Sequence, residues 1–249
     1  MRQHSVSSLS RRVRLRLLLR RILRRDTSSP KLLLLAALAG IVTGLICCGF
    51  ELALDAVVST RLAWLQELPS LWRWGGAFVS GALMAGLAIW LTSRFAPEAG
   101  GSGIPEIEGA LEGLRPVRWQ RVLPVKFFGG LTALGSGMIL GREGPSVQIG
   151  GNVGAMVATL DRQSADSRHV LLAAGAAAGL TAAFNAPLAA ILFVLEELRS
   201  QFRYSFLSVK AVSVAVISAT LLRHGLIGDK PIFSLPELAA PPLAHLGAY

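Results

Sequence analysis

Two glycine-rich stretches hold the residues best suited to chemistry: Gly100-Gly101-Ser102-Gly103-Ile104-Pro105-Glu106 and Gly141-Arg142-Glu143-Gly144-Pro145-Ser146. In each, glycine permits a tight backbone turn, and proline follows where a helix would begin and needs no N–H. Both read as helix N-termini, whose free amide N–H groups and positive dipole end favour an anion. Neither has the spacing or the flanking strand of a Walker or Rossmann phosphate loop. By itself Ser102 would more often be a turn residue than a ligand. Glu143 stands next to Arg142, but adjacent residues of a helix do not face one another.

The elements that must carry these loops are written in the hydropathy. Of 249 residues, 52% are hydrophobic and only 16% are charged, against about 25% charged in an average soluble domain. The apolar residues come in long uncharged runs at 32–50, 74–93 and 169–195. Each is long enough to cross a hydrocarbon core of about 30 Å. Shorter runs at 127–141, 144–160 and 211–222 fall below the length of an ordinary span. Glycine-interrupted, short helices that begin inside the bilayer are the construction by which transporters bind ions near the midplane. The first span is expected to continue past Glu51 and Asp55, and Asn185 with Pro187 marks a helix break. Gly40-x-x-x-Gly44, Gly150-x-x-x-Gly154 and Gly175-x-x-x-Gly179 read as close-packing faces.

The formal charge of +10 is concentrated at the N-terminus, where eight arginines lie between Arg11 and Arg25, interleaved with leucine. That pattern fits a helix on an anionic membrane surface, with its leucines at the acyl boundary. It lacks the stacking aromatics and recognition motif of a nucleic-acid binder. No signal peptide is written there, because a continuous apolar core and a small-residue cleavage site are missing. Residues 1–29 are therefore expected to form a cytoplasmic basic helix, and 30–249 a membrane domain. The basic stretch 94–126 falls inside by the positive-inside rule. Cys47 and Cys48 read as small packing residues. His169 and His224 are isolated, no metal triad or nucleophile–base pair is evident, and neither an enzyme nor a cofactor is expected. Lys126, at the expected membrane edge, reads as a snorkelling side chain.

Three motifs, GSGIPEIEGAL, GREGPSVQIGGN and AAFNAPLAAILFVLEEL, stand in this order and closely resemble the signatures of the CLC chloride channels and exchangers, in particular the bacterial chloride/proton exchangers. The likeness extends over nearly the whole chain. It implies an all-α, multi-span membrane fold with re-entrant helices, of which this chain is the first half of an inverted repeat. It implies chloride and protons as the transported partners, a lipid bilayer, and a homodimer in the complete protein. The location implied is the bacterial inner membrane.

The resemblance also assigns roles. Ser102 would donate its hydroxyl to chloride, a neutral donor that holds a monovalent anion without trapping it. Gly103, Ile104, Gly144 and Ile149 would complete this side of the chloride site. Glu143 would be the gate: ionised, it occupies the anion's place, and protonated, it swings away. Glu197, at the end of the last motif, would be the internal proton relay of an exchanger, with Glu196 as its companion. Glu196 and Glu197 also precede Arg199 and Arg203, and a solvated helix end with i,i+3 and i,i+4 pairs competes with the relay. Glu106, Glu108 and Glu112 are expected to pair with nearby arginines or to face water. The resemblance further implies that a second half is absent, so that the chain would be inactive alone. A passive chloride channel and a non-transporting half subunit are the alternative functions.

Overall fold

A computed structural model of the chain describes residues 30–197 and 205–228. The expected basic helix at 1–29 lies outside the described residues. The regular elements among the described residues are all helices, with no strand among them.

Helix α1 (Pro30–Glu67) begins on proline, the residue favoured at a first helical position, and runs for 38 residues through Glu51 and Asp55. At 1.5 Å per residue it is about 57 Å long, well beyond the thickness of the hydrocarbon core. It stops at Leu68-Pro69. Helix α2 (Ser70–Phe95) then returns, with Ala88 its only buried residue. Nearly all of its apolar surface is thus exposed in this chain. A short turn (Pro97–Ala99) leads into the first glycine loop and the eight-residue helix α3 (Ile104–Leu111). Helix α4 (Trp119–Gly135) follows, then the second loop and α5 (Glu143–Leu160).

The expected break in the long third run is present. Helix α6 (Ala165–Phe184) is capped at Ser164, whose side chain accepts the Ser167 N–H, and ends on Asn185 in the left-handed conformation. Pro187 then opens α7 (Pro187–Glu197). The last described helix, α8 (Phe206–Leu226), is capped by Ser205. Its length corrects one expectation. The run 211–222 looked too short to span because Lys210 and Arg223 bound it, yet both charges lie within a helix of 21 residues. Lys210 stacks its ammonium 4.1 Å from the Phe206 ring centroid, and Arg223 is buried with an ion-pair partner. Compensated charges need not end a helix. By length and composition α1, α2 and α8 can each cross a membrane.

Helices α5 and α6 form the centre, buried on almost every side as a helix in the middle of a membrane bundle must be. Their glycines set the separation. A Cβ placed on Gly150 would overlap the Gly175 carbonyl oxygen, and one on Gly175 would overlap that of Gly150. The same device joins α1 to α8, where Gly40 meets the main chain of Ala215 and Gly44 that of Ala219. All three small-residue motifs therefore serve close backbone approach, which brings dispersion contacts that lipid cannot supply. Lys31 and Asp161 form an ion pair of 2.7 Å, which puts the start of α1 and the end of α5 at the same level.

Candidate anion site

The two glycine loops, far apart in the chain, meet in space. Gly103 has φ of 91°, a left-handed conformation that glycine adopts without strain, and it stands immediately before α3. Ser102 precedes it, exposed, and its hydroxyl oxygen accepts the Ile104 N–H at 3.4 Å. That bond uses the oxygen as acceptor and leaves the hydroxyl hydrogen to be donated elsewhere. Gly144, in the first turn of α5, lies against the Ser102 main chain so closely that a Cβ would overlap the Ser102 carbonyl oxygen. Further contacts fix the two helices to one another. A Cβ on Gly103 would meet the Gln148 side chain, and one on Gly151 would meet Ile107. Gln148 also donates its Nε2–H to the Glu98 carbonyl at 2.7 Å.

Helix α5 starts at Glu143 with no side-chain cap, and the first intrahelical N–H bond runs from Ser146 to the Arg142 carbonyl. The amides of Glu143 and Gly144 precede it and have no acceptor within the helix, and Pro145 has no N–H at all. The Glu143 carboxylate folds back over Gly141, where a Cβ would overlap it.

Ser102 and Gly141 line one cavity of about 720 Å³, together with Gly101, Lys126, Leu140 and Pro145 among others. Ser102 is thus on its wall, and Glu143 lies over a residue of the same wall. Gly103, Ile104, Gly144 and Ile149 do not line it. Gly103 and Gly144 stand behind Ser102, and Ile149 is fully buried beside Cys47, Val153 and Ala182. Glu197 is the last residue of α7, and its side chain lies outside the described residues. Glu106 pairs with Arg115 at 2.6 Å, as its composition-based reading anticipates.

Lys126 corrects another expectation. It does not snorkel. Its side chain is 4% exposed, and Nζ donates to the carbonyls of Ala99 at 3.0 Å and Gly101 at 2.8 Å. A lysine in the middle of the apolar helix α4 therefore ties down the loop that presents Ser102, and it puts an ammonium on the cavity wall. The signal was available: Lys126 is the only charge between Arg121 and Arg142. A hydroxyl with a free hydrogen, a buried ammonium and the uncapped start of a helix all favour a small anion with no need for a metal.

The family model described as "Voltage gated chloride channel" matches residues 82–249. The H(+)/Cl(-) exchange transporter ClcA of Citrobacter koseri is 54% identical over 235 residues, which is 93% of this chain and 50% of that protein. Its namesake in Yersinia pestis is 53% identical over 93% of this chain and 49% of its own length. Among solved structures, a slow cyanobacterial Cl-/H+ antiporter superposes with a TM-score of 0.77 at 39% identity, covering 88% of this chain and 52% of the antiporter. A eukaryotic CLC transporter superposes with a TM-score of 0.70 at 25% identity, covering 77% and 37%. The chain spans about half the length of the curated relatives it matches. A match over residues 82–249, a stretch that includes both glycine loops, makes this chain a member of the voltage-gated chloride channel (CLC) family of membrane proteins.

Proposed function

We propose that the complete protein containing this chain exchanges chloride for protons across the bacterial inner membrane, with its N-terminus in the cytoplasm. The observation that carries this reading is the meeting of Ser102 with the start of α5, which sets the Glu143 carboxylate beside the cavity that Ser102 lines. A carboxylate next to an anion site is itself a competing anion. Ionised, Glu143 takes the place of chloride, and protonated, it loses that attraction and yields. One group thereby links the two ions.

Ser102 donates its hydroxyl to the bound chloride, and Gly144, packed against its main chain from behind, holds it in place. Glu197 relays protons to the cytoplasmic face. The complete protein is a homodimer. The exchangers among the relatives support the coupled reading over a passive channel.

The test is reconstitution of the complete protein in liposomes under an imposed chloride gradient. Proton movement driven by chloride is expected. Glu143→Gln is expected to keep chloride flux and lose its proton coupling, and Glu197→Gln to suppress coupled proton transport. Chloride-driven proton movement that persists undiminished in Glu143→Gln overturns the reading.

A further inference from the structure

Arg61 lies near the end of α1, and its guanidinium reaches across to α2. Nε donates to the Ser80 hydroxyl oxygen at 3.1 Å and Nη2 to the Ala77 carbonyl at 3.0 Å. Nη1 extends to the turn after α4, where a Cβ on Gly137 would stand 2.7 Å from it. It has no acceptor among the described residues. Arg142 and Arg223 share the carboxylate of Glu51, whereas Arg61 pairs with no carboxylate among the described residues. Asp55 and Glu67, on the same helix, stand about 120° around it from Arg61. Neither lines the cleft that Arg61 borders.

Depth says what can neutralise this charge. Lys31, exposed and paired with Asp161, marks the other end of α1. Residues 31 and 61 are about 45 Å apart along a helix that rises 1.5 Å per residue. That is the thickness of a bilayer with its headgroup layers, about 40–45 Å. With Lys31 at one headgroup layer, Arg61 falls in the other. Trp64 stands beside it, and Trp72 and Trp74 are exposed at the start of α2, at the same end. Tryptophan favours that boundary.

The cleft between α1 and α2 measures about 470 Å³, within the range of small-ligand sites. Its polar lining is Arg61, Thr60 and Ser80. Its apolar lining is ordered by depth. Ala56 and Val57 come about one turn before Arg61 on α1, and Met84 comes one turn after Ser80 on α2. Because α2 runs back against α1, all three lie on the hydrocarbon side of the guanidinium.

We propose that this cleft holds one phospholipid of the leaflet at this end of the bundle, with its phosphate on Nη1 of Arg61 and an acyl chain along Val57 and Met84. A cation between membrane helices draws its counter-ion from the headgroup layer, and a phosphate oxygen is a strong acceptor for a guanidinium. Inorganic phosphate would supply the same charge but leave the apolar part of the cleft uncovered. The inference is independent of which ions the complete protein carries.

The experiment titrates the complete protein, purified in detergent and stripped of lipid, with dioleoyl phosphatidylglycerol, and follows bound lipid by native mass spectrometry. One tightly held lipid per protomer is expected. Arg61→Gln is expected to weaken it about tenfold, the loss of a hydrogen bond to a charged group. Ala56→Phe fills the apolar part of the cleft and leaves the bonds of Arg61 in place, so it decides the matter where Arg61→Gln does not fold. A similar weakening is expected there. Inorganic phosphate and glycerophosphoglycerol, which lacks the chains, are expected not to compete at the same concentration. Equal lipid affinity in the parent and Ala56→Phe proteins overturns the proposal, as does a parent protein that holds no lipid tightly. Displacement by inorganic phosphate would make the cleft a site for free anions and overturn it as well.

Discussion

Gly144 rests directly on the main chain of Ser102, with no room between them for a single carbon. This contact joins the two glycine loops and sets the start of α5 beside the serine hydroxyl.

Gly144→Ala is expected to separate the loops. The new methyl meets backbone rather than a flexible side chain, so the helix must move, at a cost of about 1–3 kcal/mol. Thermal unfolding of the complete protein in detergent should register the loss, and calorimetry should show weakened chloride binding. Unchanged chloride binding in a folded Gly144→Ala protein would show that the contact does not matter to the site.

Lys126→Met preserves the length and the apolar stem but removes the donor that both Ala99 and Gly101 carbonyls use. Leaving a buried acceptor unpaired costs about 1–3 kcal/mol. The melting temperature is expected to drop, and chloride affinity to fall with it, since the Ser102 loop loses its anchor and the cavity its ammonium. Chloride titration of the purified variant checks this, and retention of full affinity would confine Lys126 to a structural part.

Gly150→Ala and Gly86→Ala are expected to act in opposite directions. At Gly150 a Cβ would overlap the Gly175 carbonyl, whereas around Gly86, on the exposed α2, nothing lies within 4 Å. The first substitution should destabilise the bundle by about 1–3 kcal/mol through overpacking. The second should stabilise it by up to about 1 kcal/mol through helix propensity. Parallel denaturation of the two variants measures the contrast directly.

The Asp161 carboxyl lies outside the spans, in the turn after α5, and its hydrogen bond with Lys31 holds it below the usual carboxylate range. A depressed folded-state value means that the pair stabilises fully above the unfolded carboxyl's value, near 3.9. The contribution disappears as pH falls through the lower folded value. Lys31→Gln is accordingly expected to lower the melting temperature slightly at neutral pH and to make progressively less difference below about pH 4. A difference that grows on acidification would contradict the assignment.

Much of this molecule was legible in the order of its residues. Uncharged runs marked α1 and α2, Asn185 with Pro187 marked the break between α6 and α7, and glycine followed by proline marked the helix starts. Those signals report local matters, namely backbone conformation and the solvent a segment requires, and they survive without knowledge of neighbours. The small-residue motifs announced close packing but not the partner. That Gly150 meets Gly175 and Gly40 meets Ala215 depends on which helices lie side by side.

Charge was where the linear reading failed, because the fate of a charged side chain in a membrane rests on what distant chain brings to it. Lys126 looked like an edge residue until the Ala99 and Gly101 carbonyls came within reach, and Arg223 looked like the end of a span until Glu51 reached it. Glu51 and Arg142 are 91 residues apart and share a bond. Residue types and spacing determined that each of the two glycine loops opens a helix. Only the packing of α1, α4, α5 and α8 decided which cations stand beside them, since burial makes a charge depend on its partners in space.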